Sequence, residues 1–115
     1  MAKNALFAFD GEMMCFVHVL LNALDMKDRG DDVVIIFEGS STALISQLGK
    51  KENPFHGLYA RAVDTGLVVG ACKACSAKLG VLDDVTASGI PLLDDMSGHP
   101  SMAAFQDRGY NIITF

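Results

Sequence analysis

Two cysteines, Cys72 and Cys75, stand three residues apart in the stretch GACKACSAKLG, residues 70–80. Thiols at that spacing handle sulfur, exchange disulfides or bind metal. The run before them, LVV, is apolar and β-branched, and Gly80 closes the segment after them, so the pair falls where a strand turns into a short helix. A thiol in the first turn of a helix meets unpaired backbone N–H groups and the positive end of the helix dipole, both of which favour thiolate. Arg61 and Lys73 are cations able to add to that effect. The spacing therefore predicts Cys72 as nucleophile. Cys75 shares its helix face and is placed to resolve a mixed disulfide or persulfide on Cys72, or to support it.

Two other readings of the pair stand beside thiol chemistry. A closed zinc site needs four protein ligands. The sequence holds no second CxxC and no HxxxH pair, and neither His56 nor His99 stands at ligand spacing. No metal and no cofactor is expected within one chain. The other reading is packing, because cysteine also serves as a small hydrophobe. A thioredoxin-like motif fits poorly, since there is no tryptophan and Ile90-Pro91 is a weak counterpart of a cis-proline strand.

The elements that must position the thiols alternate. Residues 5–9 (ALFAF) read as a buried strand ended by Asp10-Gly11. A helix runs from Glu12 to about Asp28 and stops at Gly30, with apolar side chains almost all round it. That surplus suggests a second buried face, as at a subunit contact. DDVVIIFEG (31–39) is a continuous β-branched strand, as in a parallel sheet covered on both faces. Ser40, Ser41 or Thr42 caps a helix from Ala43 to about Leu48. Asn53-Pro54 reads as N-cap and first turn of a helix reaching about Asp64. Strand 67–71, helix 72–79, a short strand near 90–93, a helix 101–107 and a last strand 110–115 complete the chain. Alternating strands and helices predict an α/β fold, with a mainly parallel sheet of about five strands between two helical layers. In such sheets chemistry gathers at the carboxyl ends of the strands, where Asp10, Glu38, Ser40, Cys72 and Asp94-Asp95 fall.

Each of these has a plain structural reading. Glu38 orients a neighbour or accepts a proton beside Cys72, or is a solvated loop carboxylate. Asp10 reads the same way, with charge complementarity at a helix start as the alternative. Ser40 and Ser41 are explained by capping. His18 reads as a packing or contact residue, His56 as a surface residue, His99 as a turn residue and Cys15 as buried and inert. Spacing alone does not choose between His56 and His99 as partner to the thiol.

The 115-residue chain is half apolar, which suits one folded domain over residues 1–115. Its net charge of −5 argues against direct nucleic-acid binding. Only residues 61–80 are net positive, with Arg61, Lys73 and Lys78 against Asp64. The stretch MAKNALFAFDGEMM lacks the features of a secretory signal, and the apolar run 13–24 is too short to span a bilayer. A cytoplasmic protein with no membrane partner is expected, and an odd cysteine count there argues against a disulfide framework.

GACKACSAKLG resembles the cysteine segment of the DsrE/DsrF-like sulfur-relay proteins, in which the reactive cysteine leads into a short helix closed by glycine. Cys72 and Gly80 have that spacing, and Cys75 matches a second cysteine of some relatives. LLNALDMKDRGDDVVIIFEGSSTALI resembles the family's first helix and second strand. GHPSMAAFQDRGYNIITF resembles the C-terminal end of small DsrE-like proteins. The resemblance implies a three-layer α/β/α domain that forms trimers or hexamers, and a sulfurtransferase-like role carrying sulfur as a persulfide on Cys72 between donor and acceptor proteins. Relays of this kind serve tRNA thiolation or sulfur oxidation. Two alternatives remain: an oligomeric module binding a small molecule or anion at Gly39 and Ser40, and a CxxC dithiol redox protein. The absence of a phosphate-binding glycine pattern weakens the first.

Overall fold

A computed structural model describes residues 2–115. Strands β1 (Lys3–Ala8), β2 (Asp32–Phe37), β3 (Val68–Cys72), β4 (Leu92–Leu93) and β5 (Asn111–Thr114) form one sheet, ordered β4-β3-β2-β1-β5. Every neighbouring pair is parallel. The helices are α1 (Met13–Asp28), α2 (Ile45–Leu48), α3 (His56–Asp64), α4 (Lys73–Lys78), α5 (Leu82–Ser88) and α6 (Met102–Asp107). The expected three-layer α/β/α architecture is the one the chain adopts.

Handedness decides which helix goes where. From β1 to β4 the chain steps across the sheet in one direction, and right-handed crossovers place α1 to α5 on one face. The return from β4 to β5 runs the other way and puts α6 on the opposite face. Side chains follow by alternation. Leu6, Ala8, Val33, Ile35 and Phe37 pack with Phe16, Val19 and Leu20 of α1. Ala5, Phe7 and Ile36 point the other way, toward Phe105 of α6. The second helical layer is therefore thin, and Val34, Val69 and Leu93 beneath it are only half-buried.

The apolar circumference of α1 resolves into a buried stripe (Phe16, Val17, Leu20, Ala23, Leu24) and an outer face on which Met14 and Leu21 are exposed. Cys15 lies on that outer face and is exposed, not buried as its surroundings in sequence suggest. Glu12 caps the helix by accepting the Cys15 N–H at 3.1 Å. Residues 39–44 form a 3₁₀ turn, so the α-helix predicted from Ala43 starts at Ile45. Asn53 does not cap α3 directly. It accepts the Phe55 N–H at 2.8 Å in a preceding turn, and the helix starts at His56. Helix α5 is invisible in the sequence, because Val85 is its one buried residue and leaves no apolar period to read. Among the described residues, no helix is long and apolar enough to cross a membrane.

Asp31 ties the chain start to the α1–β2 turn. Its carboxylate accepts from the Arg29 guanidinium and from the Ala2 N–H. The Arg29 hydrogen bonds hold its carboxyl below the usual range, with Ala2 contributing against the cost of partial burial. A depressed folded pKa contributes stability above the ordinary carboxylate value, and that contribution is lost as pH falls through the folded one. Asp31→Asn is therefore expected to cost stability at neutral pH and progressively less below about pH 4. Urea unfolding of both proteins across that range checks it, and a pH-independent difference would exclude the linkage.

Candidate functional site

Cys72 ends β3 and is also the N-cap of α4, one residue before the helical turn expected to hold it. Its Sγ accepts the Cys75 N–H at 3.4 Å, and Ser76 Oγ, fully buried, donates to its carbonyl at 2.7 Å. The strand-to-helix corner is thus fastened on both sides of the sulfur.

Two remote segments close around this corner. Glu38 follows β2, and its N–H donates to Ala8 O at 2.8 Å. Ser41 Oγ lies 2.6 Å from Ala8 O and 2.8 Å from Glu38 O, pinning the carboxyl ends of β1 and β2 together. A Cβ on Gly11 would lie 2.6 Å from Ser40 Cβ and 2.9 Å from Ser40 O, so only glycine lets the β1–α1 loop press against this rim. The second segment is a two-residue turn at Ser97-Gly98, with φ of 49° and 89°. Met96 and His99 exchange backbone hydrogen bonds of 2.7 and 2.9 Å across it. Positive φ at both central residues is the pattern of a type I′ turn. Gly98 O accepts the Ala74 N–H at 2.8 Å and so anchors the turn on α4.

The turn aims His99 at the sulfurs. Its Nδ1 lies 3.1 Å from Cys72 Sγ and 3.9 Å from Cys75 Sγ. Cys75 Sγ donates to Glu38 Oε1 at 3.7 Å. One donor atom from each of Glu38, Cys72, Cys75 and His99 falls within 4.8 Å of the others. Geometry thus selects His99 as the histidine beside the thiol. His56 turns away, with Nδ1 2.8 Å from Leu48 O.

Other expected residues lie elsewhere. Arg61 pairs with Asp28 at 3.5 Å and Lys73 with Asp94 at 3.6 Å, so each cation is engaged by a carboxylate and not by the Cys72 sulfur. Asp10 is exposed and accepts the Glu12 N–H at 2.8 Å, the local role its position at a helix start suggests. Glu38 is buried, not a solvated loop carboxylate.

Cys72 is fully buried. Burial pushes its thiol up to about 12; the Cys75 N–H works against this, while the Cys75 thiol and the Glu38 carboxylate add to it. The thiolate expected from the helix start alone is outweighed by desolvation. Cys72 is a thiol at neutral pH, placed to donate its proton to His99 Nδ1. Its neighbour Cys75 is the thiol that borders open space. A cleft of about 420 Å³ is lined by Phe9, Glu38, Cys75, Met96, His99 and Met102, with Cys75 half-buried at its wall. A larger hollow of about 500 Å³ beside α3 includes His56 and Asp84 in its lining but no cysteine. Of the two, the smaller is the one lined by residues of the thiol cluster.

Residues 5–115 match the DsrE/DsrF-like family. The sequence is similar to an uncharacterized protein of Methanocaldococcus jannaschii, 31% identical over 101 residues that cover 88% of this chain and 80% of that one. The fold is similar to that of a conserved protein of unknown function from Bacteroides thetaiotaomicron, with a TM-score of 0.66 at 19% identity, covering 97% of this chain and 95% of the other.

Proposed function

The chain belongs to the DsrE/DsrF-like family, and from that premise we propose a cytoplasmic sulfur-relay protein that holds sulfur as a persulfide on Cys72. The observation that carries this reading is the 3.1 Å approach of His99 Nδ1 to a buried thiol whose neighbour, Cys75, opens on a cleft. A donor persulfide, R–S–SH, entering the cleft meets Cys75 first. The Cys75 proton passes to Glu38, its sulfur attacks the outer donor sulfur, the donor S–S bond breaks, and Glu38 returns the proton to the leaving RS⁻, which departs as RSH. Cys72 then gives its proton to His99 Nδ1 and attacks the outer sulfur of Cys75–S–SH. That S–S bond breaks, and the Cys75 thiolate takes the proton back from His99. Each step exchanges one S–S bond for another with no net oxidation. An acceptor protein discharges the persulfide by the reverse order. In this reading copies assemble as homo-oligomers through the outer face of α1, where Met14 and Leu21 are exposed.

Mass spectrometry after incubation with a persulfide donor tests the assignment. An adduct of about +32 Da, one sulfur on a thiol nucleophile, is expected on Cys72. Peptide mapping should find the sulfur held on Cys75 in Cys72→Ser, and only slow loading of Cys72 in Cys75→Ser. Unsubstituted protein that carries the sulfur on Cys75 alone, or takes none, would remove Cys72 as carrier.

A further inference from the structure

Glu38, Cys72, Cys75 and His99 form a mixed set of thiol, imidazole and carboxylate donors, all of them zinc ligands by type. We infer that their side chains form a four-coordinate binding site for Zn²⁺ within one chain, closed by all four residues.

The separations carry the inference. Zinc bonds of about 2.3 Å to sulfur and about 2.0–2.2 Å to nitrogen and oxygen place tetrahedral ligand atoms roughly 3.3–3.8 Å apart. The atoms here stand 3.1 Å (Cys72 to His99), 3.7 Å (Cys75 to Glu38) and 3.9 Å (Cys75 to His99) apart, and the whole set lies within 4.8 Å. Small side-chain rotations complete the tetrahedron without moving a strand.

A second observation points the same way. Glu38 is 6% exposed, yet among the described residues no Lys or Arg pairs with it. A buried carboxylate without a counter-charge is costly. A divalent cation between Glu38, the two sulfurs and the imidazole supplies that charge. Binding converts both thiols to thiolates and releases their two protons to solvent. The backbone is set in advance for it: the type I′ turn holds His99 and the Cys75 N–H already points at Cys72 Sγ. The sequence conceals this set because CxxC shows two donors, while the others come from segments that only the fold brings near. Zinc on these sulfurs excludes a persulfide, yet the site follows from ligand geometry and does not rest on the relay reading.

Anaerobic titration of the reduced, metal-free 115-residue chain with Co²⁺, followed by Zn²⁺, tests it. One Co²⁺ per chain is expected, with the intense visible bands of tetrahedral cobalt and a near-ultraviolet thiolate-to-metal band, all bleached by Zn²⁺. Cys75→Ser should lose about half of the thiolate band, since one of two sulfur ligands remains. Glu38→Gln and His99→Ala should each weaken Zn²⁺ binding by more than about 100-fold, beyond the range for groups that only orient a ligand. Circular dichroism checks that each variant is folded, and the spectrum of the unsubstituted chain decides alone if one is not. A weak octahedral cobalt spectrum without a thiolate band overturns the site. Sulfur labelling is read on the same metal-free protein, so that result would leave the relay assignment standing or falling on its own.

Discussion

His99→Ala slows the passage of sulfur onto Cys72 by about 10²–10⁴-fold, the range for removing a positioned general base. In the resting protein Cys72 holds its proton, because burial has pushed its pKa to about 12. Attack on a persulfide requires that proton to leave, and His99 Nδ1 at 3.1 Å is the group placed to take it. Single-turnover loading of metal-free protein, followed by peptide mass spectrometry that separates Cys72 from Cys75 over time, gives the rate. His99→Gln is the sharper variant, since it retains polarity and much of the volume but accepts no proton. A purely structural role would let glutamine restore the rate. An unchanged rate in both variants would remove His99 from the chemistry.

Phe37→Ala is expected to cost about 3–5 kcal/mol of folding stability, the range for emptying a buried aromatic site. Phe37 is fully buried at the end of β2 and stacks on Phe16 of α1, with ring centroids 4.8 Å apart at 22°. Its removal leaves a cavity between the central sheet and the longest helix, directly before Glu38. Urea denaturation measures the loss, and a cost below about 1 kcal/mol would mean the site collapses onto neighbouring side chains. The same variant should loosen the sulfur site, because Glu38 and Ser41 depend on the position of the β2 end.

Local patterns are legible where burial is local. The continuous β-branched run of β2 and the long apolar α1 closed by Gly30 are visible in sequence because residue type and stop signals are local. The CxxC is readable as a strand-to-helix corner for the same reason. Features that depend on contacts between distant segments escape. Glu38 reads as a loop residue until β1 and α4 are brought beside it. His99 reads as a turn residue, and it is one. Only the hydrogen bond from α4 to Gly98 fixes where that turn points its imidazole. The ionisation of Cys72 is misleading in sequence because a helix start favours thiolate locally, whereas covering the sulfur is a tertiary effect and the larger one here. The exposure of Cys15 is hidden because an all-apolar helix does not reveal which side meets the sheet.

The long sequence separations within the site have a further meaning. Glu38 and Cys75 are 37 positions apart, and Cys72 and His99 are 27 apart. A chain still emerging from the ribosome, with residue 99 not yet made, carries two ordinary thiols open to any alkylating agent or oxidant. Their special surroundings come into being only once the last third of the polypeptide has docked, so the proposed sulfur site is assembled by the completion of folding itself.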